Sequence, residues 1–250
     1  MKSLFLAWQA PNRAWFPVGR LDADVVQHHY QFGYTKGAVQ AEHAVGFKPL
    51  PAFPDFQRTY ESSELFPLFH NRVLGPGRKD FADYLASLDL PPTSTDPIAI
   101  LAVSGGERQT DSLEVFPRIE SRPDGAFRCR FFLHGWRHMP NASQNRAMSL
   151  QPGEELGVSL ELTNRAVPVA ILLTTSDYTF LGWTPRYLVA DLLKAISEKP
   201  SVTARVVRVN STEVPANRRV LVELTGKLPP GVQPMSAEEF QPLVLPQSTH

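Results

Sequence analysis

Prolines limit what this chain can fold into before any other feature does. There are 23 of them in 250 residues, well above the usual share of roughly 5%. Each removes a backbone donor and fixes φ, so it starts, ends or breaks an element rather than sitting inside one. The chain is therefore expected to build short helices and strands joined by many turns. It still has a core to bury: 42% of residues are hydrophobic and 20% charged, a balance that excludes a disordered chain. At about 100–200 residues per domain, the length fits one large or two small domains.

Several classes drop out on composition. Lys and Arg total 25 and so do Asp and Glu, so the chain is no broadly basic nucleic-acid coat, although a local basic patch is allowed. Cys129 is the single cysteine, which excludes an internal disulfide and a Cys-based zinc cluster. Among the seven histidines, His28-His29 are adjacent and no His-x-His or His-Glu-x-x-His occurs, so no metal and no cofactor is expected. Ser104-Gly105-Gly106 lacks the Gly-x-Ser-x-Gly elbow of a serine hydrolase. With no nucleophile, paired carboxylates or metal set, no catalytic residue is expected and the protein is read as a non-enzyme. The apolar run at Leu4–Trp8 is too short for a secretory segment. No stretch approaches the about 18 apolar residues of a membrane span. The expectation is a soluble, cytoplasmic protein without a membrane partner.

The turn-rich stretch Ser121-Arg122-Pro123-Asp124-Gly125 marks a domain boundary. Residues 1–124 carry 12 basic against 15 acidic side chains, net −3, whereas 125–235 carries 13 against 8, net +5. Ten of those 13 are arginines, whose planar fork suits phosphate and base contacts; a genome rich in G and C would give the same bias. The expected organisation is a small α+β domain over 1–122, a second domain over 123–230 and a loose tail over 231–250.

Periodicity fills in the elements. Tyr30, Phe32 and Tyr34 alternate as on one strand face, while Phe81, Tyr84, Leu85 and Leu88 predict an amphipathic helix over 78–88. Asp96-Pro97 reads as a helix cap and first residue and Gly105-Gly106 as its stop, with a short strand at 113–117. In the second half, Phe127, Cys129, Phe131 and Leu133 share one face of a strand. Further strands are expected at Leu156–Leu162, Val167–Leu173, Val202–Val209 and Val220–Leu224. One helix interrupts them, capped by Thr184, begun by Pro185 and buried along Leu188, Leu192 and Ile196. The segment 210–219 reads as a hairpin with Arg218-Arg219 at its shoulder, which either extends a basic face or is merely solvated. Several short strands with one or two helices suggest a small β-barrel.

An ordered set of motifs in 125–228 resembles a HIRAN domain. It runs Phe132-Leu133-His134-Gly135-Trp136-Arg137-His138, then Leu150-Gln151-Pro152-Gly153-Glu154-Glu155-Leu156, then Val169-Ala170-Ile171, then Leu181-Gly182-Trp183-Thr184-Pro185-Arg186-Tyr187-Leu188. The resemblance implies a modified OB-like barrel that grips single-stranded DNA at a 3′ end. It gives Arg137 contact with the end nucleotides, His138 the place of a stacking aromatic, Trp183 a polar or aromatic position after the glycine, and Arg186 a phosphate. Such rings stack on bases for roughly 1–3 kcal/mol each while cations track the phosphates. Trp136 and Trp183 are read either as core tryptophans or as base-facing rings; Arg137, His138 and Arg186 either as contacts or as solvated or ion-paired surface. The sequence departs from the family in the loop Thr163-Asn164-Arg165-Ala166-Val167-Pro168, where the aromatic-Asp pair that holds the terminal base and sugar hydroxyl is missing and Asn164 is the one remaining polar candidate.

The first half resembles the amino-terminal subdomain of HipA-type toxin kinases through Trp15-Phe16-Pro17-Val18-Gly19-Arg20-Leu21, Leu65–Leu74, Asp96–Ala102, Gly105-Gly106 and Glu114-Val115-Phe116-Pro117. No Gly-rich phosphate loop and no His-x-Asp catalytic motif follows. The resemblances together imply a DNA-binding protein whose first domain is an interaction module. The alternative is a regulatory partner of a HipA-type kinase in a toxin–antitoxin or defence system, without DNA binding.

Overall fold

The computed structural model describes residues 1–108, 110–164, 167–195 and 202–244. The fold is α+β, with two antiparallel sheets and short helices. The chain divides into two compact units: Met1–Ala82 with Thr93–Arg118 and the chain from Ser236, and Asp83–Pro92 with Ile119–Met235.

The first unit is built on a five-stranded sheet. Its strands are β1 (Lys2–Gln9), β2 (Trp15–Asp24), β3 (His29–Tyr34), β4 (Tyr60–Ser62) and β5 (Leu113–Pro117), in the spatial order β4-β3-β2-β1-β5. Its helices are α1 (Lys36–Val45), α2 (Pro67–His70), α4 (Pro97–Ser104) and the start of α3 (Phe81–Ser87), within which the division into units falls. Tyr30, Phe32 and Tyr34 are all buried, as their alternation requires. Asp96 accepts from the Ile98 amide at 2.8 Å, Pro97 opens α4 and Gly105 closes it at φ 74°, so the cap signals are met residue by residue. One core cluster holds Val18, Leu21, Phe32, Phe53, Phe69, Ile98, Leu101 and Val115. Val18, Leu21, Phe69, Ile98, Leu101 and Val115 of the first-half motifs are thus packing residues.

Tyr34 shows how the long loop after α1 is held. Its buried hydroxyl donates to the Phe53 carbonyl and accepts from the Leu50 amide, both at 2.7 Å. Burial pushes its pKa up to about 12. Tyr34→Phe leaves both backbone groups without that partner, so it is expected to cost about 2 kcal/mol in equilibrium urea unfolding. A loss under about 0.5 kcal/mol would show that water replaces the hydroxyl.

The second unit is a six-stranded antiparallel sheet. Its strands are β6 (Ala126–Phe132), β7 (Glu155–Glu161), β8 (Ala170–Thr174), β9 (Phe180–Trp183), β10 (Val202–Val209) and β11 (Val220–Lys227), in the order β6-β11-β10-β7-β8-β9. Just past β6, His134 pairs with Trp183 of β9 through backbone bonds of 2.9 and 3.1 Å. The two edges of the sheet are thereby joined at one corner. Phe127, Cys129, Phe131 and Leu133 line the core. Burial pushes the Cys129 thiol up to about 12, which leaves it protonated and inert. Helices α5 (Asn141–Met148) and α6 (Val189–Ala195) complete the unit.

Several expectations are corrected. The helix expected over 78–88 begins at Phe81; ahead of it Arg78 and Asp80 pair with each other. It ends where Asp89 turns to φ 54°. Its second half belongs to the second unit: Asp89 pairs with Arg130 at 3.1 Å, and Asn210 donates to the Ser87 carbonyl at 2.9 Å. The chain from Ser236 is no loose tail, since Phe240 is buried edge-on against Phe5 at 5.1 Å and the Leu243 amide donates to the Tyr34 carbonyl; residues 245–250 lie outside the described residues. Thr184 does not cap a helix. Its amide donates to the Ile171 carbonyl and its buried hydroxyl has no partner among the described residues. A 3-10 turn at Arg186–Leu188 comes first and α6 begins only at Val189. Leu188 and Leu192 are buried as expected, and Ile196 lies outside the described residues. Along β7 the apolar alternation does not mean burial: Leu156 is buried, but Leu160 and Leu162 are 43% and 69% exposed. Among the described residues, β10 covers β7 only at Glu155 and Leu156.

With these boundaries the charge split shrinks. The second unit carries 14 basic against 12 acidic side chains, net +2. Where its cations sit decides more than how many there are.

Candidate nucleic-acid interface

Gly135 makes the first turn of the site possible. It sits at φ 83°, and an added Cβ would lie 2.2 Å from the Trp183 ring, so only glycine both turns the chain and lets the indole pass. The next three residues form a 3-10 turn, Trp136–His138. The Gln144 amide of α5 fixes it by donating to the carbonyls of Trp136 at 3.3 Å and Met139 at 3.0 Å. Arg137 and His138 are thereby presented on the surface, with Trp136 half-buried between them and the fold.

The second turn belongs to the β10–β11 hairpin. Its 3-10 turn, Ala216–Arg218, comes within 8 Å of the Trp136–His138 turn, Cα to Cα. Asn210 sets its shape by donating to the Arg218 carbonyl at 2.7 Å and accepting from Arg208 Nε at 2.9 Å. Arg218 lies over the Tyr84 ring at 5.2 Å and Arg219 over the Trp136 ring at 5.4 Å. Arg219 is buried, and Nη1 donates to the Ser211 carbonyl while Nε has no partner among the described residues. Loss of solvent pushes its pKa down.

Two of the remaining candidates gather elsewhere. The Trp183 indole N–H donates to Glu161 at 2.6 Å, and the Asn164 amide donates to the same carboxylate oxygen at 2.8 Å. Asn164 also accepts from the Val167 amide at 3.2 Å, which makes it a loop clamp. Phe180 packs on the Trp183 ring at 4.6 Å. A carboxylate at the centre of this cluster repels phosphate. Arg186 is half-buried in the turn ahead of α6 and has partners of its own.

The structure therefore brings Trp136, Arg137 and His138 together with Arg218 and Arg219, and sets Trp183 and Asn164 apart around Glu161. The sequence shows the arginine pair at a hairpin shoulder but not which turn it meets. Several arginines elsewhere in the unit are paired with carboxylates. Arg128 and Arg130 meet Glu223, Arg146 meets Glu154, and Arg205 meets Glu155. Arg137, Arg218 and Arg219 have no carboxylate partner among the described residues, and neither have Arg122, Arg208 and Lys227. The first unit offers a cleft of about 450 Å³ lined by His28, Tyr30, Glu64, His70 and Asn71 among others, and no group of three metal-ligating side chains occurs among the described residues.

No family model matches this chain, and no curated protein matches it. Among solved structures, it is similar to a crystallised protein from Lactobacillus plantarum, a structural genomics target. The alignment covers 42% of this chain and 100% of that one at 15% identity, with a TM-score of 0.32. No helix among the described residues is long and apolar enough to cross a membrane.

Proposed function

We propose that the second unit binds single-stranded nucleic acid, DNA above all, without catalysing a reaction. The surface it uses is the pair of turns that carries Trp136, Arg137, His138, Arg218 and Arg219. The observation behind this reading is the pairing of arginines: Arg128, Arg130 and Arg205 on the strands meet carboxylates, while Arg137, Arg218 and Arg219 on or beside the two turns do not, nor does Arg208, which donates to Asn210 at the base of the hairpin turn. Unpaired guanidiniums next to aromatic rings are what a single strand needs, since the phosphates take the charge and the bases stack. The HIRAN-like motif order and an OB-like reading of the corner-joined sheet support the same conclusion. Trp183 serves this reading indirectly, since its ring packs against Gly135, and Asn164 shares its Glu161 partner.

Strand preference tests it. His138 and the exposed part of Trp136 stack only on unpaired bases. A labelled oligonucleotide of about 12 nucleotides should therefore bind more tightly single-stranded than as a duplex, by about tenfold. Duplex binding as tight as the single strand would replace stacking by plain charge attraction.

The first unit then acts as an interaction module, a reading that rests on its HipA-like motifs. Co-purification with a HipA-type kinase core is its test, and a clean pull-down against that kinase removes it.

A further inference from the structure

Two arginines are buried among the described residues, and their surroundings differ. In the first unit, Arg72 is 8% exposed and pairs with Asp111 at 2.5 Å while donating to the Gly106 carbonyl at 2.8 Å. In the second unit, Arg219 is 7% exposed and meets a carbonyl and an indole face, with no carboxylate. Both leave Nε without a partner among the described residues. What separates them is counter-charge. A buried charge with no opposite charge is costly, and the usual remedy is an anion beside it.

We propose that the two turns hold a phosphomonoester group, which supplies the charge Arg219 lacks. This rests on the nucleic-acid reading of the same surface and says which part of the ligand the site prefers. A backbone phosphodiester carries one negative charge. A phosphomonoester carries about 1.5–2 near neutral pH, with three strong acceptor oxygens. Arg137, Arg218 and Arg219 lie on or beside turns within 8 Å of each other, Cα to Cα, with His138 alongside. Three arginines on neighbouring turns match a dianion better than a monoanion, and planar guanidiniums take phosphate oxygens in pairs. The group is either the terminal phosphate of a strand or that of a free mononucleotide; the two share this chemistry.

The full chain is titrated with three labelled single strands of one sequence: unphosphorylated, 5′-phosphorylated and 3′-phosphorylated. A mononucleotide and inorganic phosphate serve as competitors, against chloride at equal ionic strength, and thermal unfolding is followed with phosphate or chloride. One phosphorylated strand should bind about tenfold tighter than the unphosphorylated one, and phosphate should raise Tm where chloride does not. Arg219→Met should abolish the preference. If that variant does not fold, Arg218→Gln decides, and should cut the preference at least about threefold. Equal affinity for all three strands overturns the inference and leaves nucleic-acid binding standing. If no strand binds yet phosphate or the mononucleotide stabilises the chain, the site is for free phosphomonoesters and the nucleic-acid reading falls. If nothing binds and phosphate leaves Tm unchanged, both fall.

Discussion

The double substitution Arg137→Gln, Arg218→Gln should lower affinity for single-stranded DNA by about tenfold at low salt and flatten the salt dependence. Each side chain stands on one of the two neighbouring turns, and neither meets a carboxylate among the described residues. On single strands each neutralised phosphate contributes about 0.7 to the slope of log K against log salt, so removing two contacts should remove about 1.4. Glutamine keeps most of the length and polarity of each side chain. Arg137 is exposed and Arg218 only half-buried, so the fold should be little affected. The matched control is Arg128→Gln with Arg205→Gln. Both of those arginines are exposed but paired with glutamates on the strands. This control should bind about as well as the unmodified chain. Equal losses in the two double variants would mean that binding follows overall charge and not the turns.

The largest loss of stability should follow Gly135→Ala. The residue sits at φ 83°, which costs an L side chain roughly 1–2 kcal/mol. The new Cβ would also lie 2.2 and 2.3 Å from two carbons of the Trp183 ring. Overpacking of that kind costs typically 1–3 kcal/mol more. The ring has little room to retreat, because its N–H is tied to Glu161 and Phe180 packs against it. The sum is about 2–5 kcal/mol, a large share of the 5–15 kcal/mol that holds a typical domain together. Chemical denaturation should show it. The adjoining backbone pair, His134 with Trp183, joins the sheet's edges, so amide exchange at those two residues should rise before exchange elsewhere in the unit. A variant of unchanged stability would show that the corner is loosely held.

Much of this fold was legible because local signals happened to agree with the tertiary result. The alternation at Tyr30–Tyr34 is one-sided in the structure, and that at Phe127–Phe131 is too until Phe132, which is buried on the other face. Asp96-Pro97 and Gly105 bracket α4 by backbone chemistry that needs no distant partner. Other elements carried no such signal. Leu4–Ala7 of β1 is buried without a break, since the core cluster covers one face and Phe240 the other, so no alternation appears. Helix α5 buries only Ser143 and Ala147. It has no apolar stripe to read, and its Gln144 contacts are tertiary. The attachment of 83–92 to the second unit, and of 236–244 to the first, rests on pairs more than a hundred residues apart, such as Asn210 with Ser87 and Lys36 with Glu238.

The candidate site divides the same way. Trp136, Arg137 and His138 are neighbours in sequence and remain so in space. Trp183 and Asn164 also looked like ligand contacts, but Glu161 holds both, a link across 22 residues for the tryptophan. Arg219 was visible only as half of an arginine pair, and its burial over Trp136 comes from the hairpin's docking.

Single-strand binding by the full chain should depend on salt. Three guanidiniums on the two turns predict a slope of log K against log salt near −2, so affinity should fall about 20-fold between about 50 and 200 mM salt. A titration at micromolar protein that finds no binding at low salt, or binding indifferent to salt, would contradict it.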